Sequence, residues 1–245
     1  DAAEQALQID PADAQAHAVL GDIAFFQDRD YPAGLSHLTA AVQLDEHLGT
    51  PRHWYAAALM AMGRFDEAAV EIAKARQIEP TSRSMQVSAA MIALGAENPE
   101  EAQRSLLQLI ANEPDYRSPY RFLAFAELAL GNERAYLAAW RERFRLTRDD
   151  AGAAIVEAGS RALAFGGSSA PAMLDAAQQH QSSIEPYFMA HLLALAGQWR
   201  EAAAQLGKTP TRHAFYYGID PAFAQARASP QFLGEIAKLG LPVVP

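Results

Sequence analysis

The chain has 245 residues, half of them hydrophobic, with a net charge of −9 at pH 7 and no cysteine. The missing cysteines exclude disulfides, thiolate metal sites and a cysteine nucleophile. The negative charge argues against direct nucleic-acid binding, which requires Lys and Arg to neutralise phosphates.

The first eleven residues read as the second half of a helix that ends at Pro11. Such a helix normally packs against a partner that precedes it. We therefore expect 1–11 to be the partial helix of a truncated upstream repeat, and Asp1 not to be the natural N-terminus.

From residue 12 onward the sequence repeats. Pro80 and Pro114 are 34 residues apart, and Gly63 and Gly131 are 68 apart, which is two periods. This period is typical of stacked helix pairs that bury their apolar faces only against their neighbours. Apolar residues spaced at the helical period predict four such units within 12–148. Their helix pairs are expected at about 13–28 with 31–44, 51–62 with 65–78, 83–94 with 98–111, and 118–130 with 132–147.

Three further segments follow residue 148. An irregular helical pair is expected over 149–183, with helices at about 151–165 and 169–181, and a more regular unit over 184–207, with helices at about 186–196 and 198–206. Residues 208–245 are expected to cap the array, because two of their segments place an N-cap residue before proline at the first helical position. The cap residues are Asp220-Pro221, Ser229-Pro230, Phe223, Phe232, Ile236 and Leu239.

The units resemble tetratricopeptide repeats, whose pattern is W-x2-L-G-x2-Y, then A-x3-F, then P. The best copy contains Gly63, Phe65, Ala68, Ile72, Ala75 and Pro80. Glu46 and Arg148 stand where proline is usual, and no unit has the early Trp in register. The resemblance implies an all-α fold, a right-handed α-α superhelix, whose first helices line a concave surface that binds protein or peptide.

The tail from Asp220 to Pro242 also resembles the ending of certain bacterial multidomain proteins. In that family the repeat array follows a winged-helix DNA-binding domain, a nucleotide cyclase or a protein kinase. This resemblance implies that the chain belongs to a larger regulatory protein.

The register of the resemblance places a partner-binding groove on the first helices of the four units. Its lining is mostly apolar, which suits peptide or helix recognition. The alternative is that Phe25, Met91 and Phe125 are core residues between helices. The predicted groove residues are Asp22, Phe26, His53, Met60, Val87, Met91, Arg121 and Phe125.

A basic stripe is predicted on one helix face, because its arginines are spaced by 7, 4 and 3 residues. It suits an acidic partner or a phosphate. The alternative is a solvated face with local ion pairs through Glu133 and Glu142. Seven of the 20 Lys and Arg residues lie in one 32-residue window, from Arg117 to Arg148, and the stripe within it is Arg134, Arg141, Arg145 and Arg148.

No motif indicates catalysis, a cofactor or a metal. The seven histidines include no HExxH pair. Gly166-Gly167-Ser168-Ser169 is not followed by the Gly-Lys-Ser/Thr of a phosphate-binding loop, and no G-x-S-x-G elbow is present. We expect no enzyme activity and neither catalytic nor metal-binding residues.

No apolar run reaches the roughly 18 residues of a membrane span, and no secretory signal opens the sequence. We expect a soluble fragment without membrane insertion. It is cytoplasmic or, if a transmembrane segment precedes it in the full chain, periplasmic.

The sequence thus predicts a protein- or peptide-binding scaffold, or the sensor region of a larger bacterial signalling or transcription-regulatory protein. Charge reversal at Arg121 and Arg141 is expected to weaken an acidic partner without unfolding the array. The alternative is regulatory self-association, through an open face at Asp1 or through the irregular pair.

Overall fold

A computed structural model describes residues 2–180 and 183–244 of the chain. In these ranges every regular element is helical: sixteen α-helices, one π turn and two 3₁₀ turns, without a strand. The all-α fold is therefore confirmed. The expectation placed on Asp1 lies outside the described residues. Contacts between Cα atoms divide the chain into two compact units, unit 1 at Asp1–Ile92 and unit 2 at Ala93–Pro245.

Unit 1 contains five helices and most of a sixth, and consecutive helices form the packed pairs α2 with α3 and α4 with α5. Their bounds are α1 Ala2–Ile9, α2 Ala14–Ile23, α3 Tyr31–Leu44, α4 Gly49–Ala61, α5 Phe65–Ile78 and α6 Arg83–Gly95, which runs past the unit boundary. A π turn at Ala24–Asp28 continues α2.

Local signals explain where these helices begin and end. The Asp13 and Asp30 carboxylates cap α2 and α3 by accepting the N–H groups of Ala16 and Ala33. Gly34 allows α3 to lie close to the preceding helix, because a Cβ there would stand 2.8 Å from the Phe25 backbone nitrogen. The segment predicted as one helix at about 13–28 is an α-helix to Ile23 and a π turn over Ala24–Asp28.

Unit 2 contains ten further helices, and α8 with α9, α10 with α11, and α12 with α13 form packed pairs. Their bounds are α7 Pro99–Asn112, α8 Ser118–Ala129, α9 Glu133–Thr147, α10 Asp150–Ala164, α11 Ser169–Gln179, α12 Pro186–Leu195, α13 Trp199–Leu206, α14 Thr211–Ala214, α15 Ala224–Arg227 and α16 Pro230–Lys238. The 3₁₀ turns are Phe215–Gly218 and Pro221–Phe223.

Within the described residues every predicted helix is present, and its ends lie within two residues of the prediction, except that α2 ends at Ile23 and the π turn continues the segment to Asp28. Gly63 and Gly131 both have φ of 73°, in the left-handed region that commonly ends a helix. The division of the chain into repeat units, a partial helix, an irregular pair and a cap stays a prediction. Among the described residues, no helix is long and apolar enough to cross a membrane.

The C-terminal helices of unit 2 pack on the preceding pair, with α16 against α13 and the second 3₁₀ turn against α12. Asp220 and Ser229 act as the N-caps that the sequence indicated. Phe223, Phe232 and Ile236 are buried in this segment.

Candidate binding pocket

The strongest candidate site is a cavity of about 350 Å³ in unit 2. It lies where the first turn of α8 meets the last turns of α9 and the segment around α14. Three of its eight lining residues are arginines on a chain that is acidic overall. We call it the arginine pocket, and its lining is Arg117, Ser118, Arg121, Phe122, Arg143, Thr147, His213 and Tyr216.

Glu185, the N-cap of α12, holds two of these arginines in place. Arg121 Nη2 donates to both Glu185 carboxylate oxygens at 2.6 Å, and Arg143 Nη2 donates to Oε2 at 2.9 Å. The His213 Nδ1 atom stands 3.8 Å from Glu185 Oε1. One carboxylate therefore organises two guanidinium groups from neighbouring helices.

Aromatic rings fix Arg121 further. Its guanidinium carbon lies 5.6 Å from the ring centres of both Tyr187 and Tyr216, within the range of a cation–π contact. Phe122 meets Tyr216 edge to face at 5.2 Å, and His213 stacks on the same ring at 5.4 Å. These contacts hold the guanidinium in a single orientation before any ligand arrives.

The arginines retain donors that the protein does not use. Arg121 is 5% exposed, yet its buried Nε has no hydrogen-bond partner, and the Nε of Arg143 is likewise unpartnered. Among the described residues, no hydrogen bond engages the Nη1 atom of either side chain. Arg117 is exposed at the rim. Three arginines and one glutamate leave the pocket with an excess of two positive charges.

The pKa shifts report the same excess of positive charge. Burial, and then the charge of Arg121, lower the pKa of Arg143 to about 10, where it is still protonated at neutral pH. Burial by itself would raise the pKa of Glu185, but the Arg121 and Arg143 charges outweigh it and lower that pKa. Burial followed by Arg121 also lowers the pKa of His213, which keeps this ring neutral at pH 7.

The N-terminus of α8 opens at the same cavity. Ser118 is the first residue of this helix, and the side chain of its N-cap residue, Arg117, makes no capping hydrogen bond. Such groups carry partial positive charge and favour an anion. Together with the arginines, they make the pocket suited to a negatively charged group.

The predicted groove residues divide between exposed and interior positions. In unit 1, Asp22 and His53 are half-buried, and the His53 Nε2 atom lies 2.8 Å from Ser88 Oγ. The apolar members of unit 1 expose 8% or less, which leaves them little surface for a partner. These are Phe26, Met60, Val87 and Met91.

In unit 2, the expected place of Phe125 on a binding surface is wrong. Its ring is completely buried and stacks on His191 at 5.7 Å, so it belongs to the core, as the alternative held. Arg121 does line a cavity, but as a buried ion-pair partner rather than as an exposed side chain.

The predicted basic stripe is exposed at all four arginines, Arg134, Arg141, Arg145 and Arg148. Local partners engage two of them: Arg141 donates to Ser160 at 2.9 Å, and Arg145 donates to Glu142 at 2.7 Å. Glu133 instead accepts the backbone N–H and the hydroxyl of Ser169.

Sequence reasoning missed the residues that complete the pocket. Arg117 and Arg143 belong to the arginine-rich window, but the stripe was chosen by helix face and left them out. Glu185, His213 and Tyr216 are more than 60 residues from Arg121 along the chain, and no spacing rule connects them.

A buried histidine–aspartate pair elsewhere in unit 2 has a structural role. His191 Nδ1 lies 2.8 Å from Asp220 Oδ2, and its Nε2 lies 2.8 Å from the Tyr136 hydroxyl. The Tyr187 hydroxyl donates to the same carboxylate at 3.0 Å. His191 and Asp220 are fully buried and line no described pocket, so they bind the C-terminal segment to α9 and α12. The described residues contain no cluster of ligands suited to a metal ion.

Comparisons with known proteins agree with this fold. A tetratricopeptide repeat family model matches residues 25–92. A tetratricopeptide repeat protein from Parabacteroides merdae is 12% identical over 97% of this chain and 89% of its own, with a TM-score of 0.63. PilW, a widely conserved type IV pilus biogenesis factor, is 17% identical over 74% of this chain and 82% of its own, with a TM-score of 0.61.

YrrB, described as a tetratricopeptide repeat protein with an unusual peptide-binding site, is 12% identical over 94% of this chain and 99% of its own, with a TM-score of 0.51. No curated protein matches the chain. At these identities the solved structures establish the fold alone. Residues 25–92 match the tetratricopeptide repeat model, and the chain has a fold similar to that of tetratricopeptide repeat proteins.

Proposed function

We propose that this chain is a non-catalytic scaffold that binds an acidic segment of a partner protein or peptide at the arginine pocket. The observation that carries the proposal is the excess of two positive charges in a cavity where the Nη1 groups of Arg121 and Arg143 have no hydrogen-bond acceptor among the described residues. Arginine clusters of this kind recognise carboxylates through charge-assisted hydrogen bonds.

The pocket divides the work of binding between its residues. Arg117 at the exposed rim attracts the segment, while Arg121 and Arg143, held by Glu185, offer donors whose orientation is already set. Pre-set side chains lose little conformational entropy on binding. Phe122 supplies apolar surface for the neighbouring part of the segment.

The wider role proposed is the scaffold or sensor region of a larger bacterial signalling or transcription-regulatory protein. The tail resemblance from Asp220 to Pro242 supports this role. The fold shared with YrrB, a tetratricopeptide repeat protein described as having an unusual peptide-binding site, supports peptide recognition. Asp22 and His53, half-exposed on the first helices of unit 1, are proposed as additional partner contacts. The basic stripe is proposed as a secondary acidic-partner surface.

Self-association is the second candidate function. Phe165, directly after α10 in the pair 149–183, is 90% exposed and suits a contact with another copy. Light scattering during size exclusion tests it across a range of concentrations. A mass that rises with concentration in the unchanged chain but not in Phe165→Ser would support it, and a constant monomer mass would reject it.

The main proposal is tested with short fluorescent peptides rich in Glu and Asp, and matched peptides carrying Gln and Asn. Fluorescence anisotropy should show binding of the acidic peptides only, weakened roughly tenfold by Arg117→Ala. Arg161→Ala is the matched control, because this arginine is exposed on α10 and lies outside both the pocket and the basic stripe. Equal losses in both variants would mean that general surface charge, and not the pocket, attracts the peptides.

A further inference from the structure

We infer that the arginine pocket binds a phosphoryl group, so that the preferred form of its ligand is phosphorylated rather than merely acidic. The inference names the ligand chemistry of the proposed function and rests on it for the identity of the site. Binding of phosphate itself is nevertheless measurable without any peptide.

The net charge of the pocket favours a phosphoryl group over a carboxylate. Arg117, Arg121 and Arg143 exceed Glu185 by two positive charges, and His213 is neutral at pH 7. A carboxylate would neutralise only one of these charges. A phosphoryl group carries about −1.5 to −2 at this pH and neutralises nearly both.

The hydrogen-bond donors of the pocket also suit a phosphoryl group. A phosphoryl group presents three acceptor oxygens. The cavity is lined by Arg121 and Arg143, whose Nη1 groups have no acceptor among the described residues, by the exposed Arg117 and by Ser118. The planar donor sets of arginine match phosphate oxygens in a bidentate geometry.

The buried guanidinium of Arg121 favours an anion independently of the helix terminus. The Arg121 side chain is only 6% exposed, lines the cavity and has an unpartnered Nε. A buried guanidinium that is only partly hydrogen-bonded is costly. The uncapped start of α8 adds partial positive charge beside it. A multivalent anion in the cavity would interact favourably with the charge of this guanidinium and with the helix terminus.

Glu185 is an internal anion that neutralises part of the positive charge of the pocket. Its carboxylate keeps Arg121 and Arg143 ordered in the empty pocket. It also repels a second anion. Glu185→Gln should therefore tighten phosphate binding by roughly tenfold or more, since it removes one negative charge next to the site.

Titration with inorganic phosphate at pH 7 and constant ionic strength tests the inference, with acetate and chloride as reference anions. Calorimetry should show saturable phosphate binding that acetate does not match. Amide shifts in NMR spectra should concentrate at Ser118, Arg121 and Tyr216. Arg117→Ala should weaken binding about tenfold, while Arg161→Ala, an exposed change outside the pocket and the basic stripe, should not alter it.

Three results would overturn the inference: acetate binding as tight as phosphate, shifts centred on the basic stripe, or phosphate affinity unchanged by Arg117→Ala. Urea unfolding of Arg117→Ala checks that this exposed substitution leaves the fold intact. Glu185→Gln gives an independent reading, because weaker phosphate binding in a folded variant would contradict the electrostatic reasoning.

A phosphoserine peptide library, with its unphosphorylated counterpart, identifies the source of the phosphoryl group. Phosphopeptides that bind more tightly than both inorganic phosphate and the unphosphorylated peptides would identify a phosphoprotein. Equal affinity for phosphate and phosphopeptides would identify a small phosphorylated molecule, so that phosphate binding stands while the peptide-scaffold proposal fails. Glu-rich peptides that bind when phosphate does not would instead leave the scaffold proposal standing and reject this inference.

Discussion

Charge reversal at Arg121 is expected to destabilise unit 2 strongly, whereas the same change at Arg141 should leave it nearly unaffected. Both arginines were expected from the sequence to tolerate reversal. The structure separates them, because the Arg121 side chain is 6% exposed and paired with Glu185 at 2.6 Å, while that of Arg141 is 50% exposed.

The magnitude follows from the contacts. Arg121→Glu removes a charge-assisted interaction worth about 1.5–3 kcal/mol. It also places a second carboxylate near Glu185, and two like charges at 4 Å repel by about 4 kcal/mol at an effective dielectric constant of 20. Arg143 stays 2.9 Å from Glu185 and offsets part of this repulsion. We expect a net loss of about 3–5 kcal/mol in the free energy of unfolding.

Arg141→Glu should cost at most about 1 kcal/mol, because exposed ion pairs contribute little. Urea unfolding followed by circular dichroism compares the two variants, and Arg121→Gln separates the lost ion pair from the added repulsion. The melting temperature of Arg121→Glu should fall by roughly 6–20 °C, at about 2–4 °C per kcal/mol for a unit of this size. A loss below about 1 kcal/mol for Arg121→Glu would refute the buried ion pair as a stabilising element.

Three further outcomes follow from buried and titrating groups. Asp220→Ala should lower the free energy of unfolding by about 3–5 kcal/mol, since it leaves the Tyr187 hydroxyl and the His191 ring without their shared acceptor, as urea unfolding will measure. Acidic peptides should bind more tightly as pH falls below 7, because the pKa of His213 is low in the empty pocket and rises when an anion binds, so that binding takes up a proton. Burial and then the charge of His17 lower the pKa of His37 in the folded chain. The contribution of His37 to the free energy of unfolding should therefore be complete above the unfolded pKa of about 6.5 and be lost as pH falls from that value through the lower folded pKa.

Each of these outcomes has its own control. Asp220→Asn keeps an acceptor oxygen and should lose less stability than the alanine variant. His213→Gln should flatten the pH dependence of peptide binding, and an unchanged slope would assign the proton to another group. His37→Gln should flatten the stability profile near pH 6, and a profile that keeps its slope would show that His37 is not the titrating residue.

The sequence carried more information about helices than about the site. Helix ends were predictable because their signals are local: Gly63 and Gly131 stop helices in the left-handed conformation, and Asp220 and Ser229 begin them. Phe125 could not be assigned by the same means. Helical periodicity identifies an apolar residue but does not say whether solvent or another aromatic ring covers it.

The sequence by itself determined that this chain is an all-α array of helix pairs. Its small residues and helix stops act over one or two helical turns, and these local signals recur with a period of 34 residues. Only the tertiary structure decided which arginines form a site. The arginine-rich window is one charged segment in the sequence, yet packing buries Arg121 and Arg143 against Glu185 and leaves Arg134 in solvent. The physical reason is that an ion pair depends on distance in space, and residues 64 positions apart come within 2.6 Å only after the helices have packed.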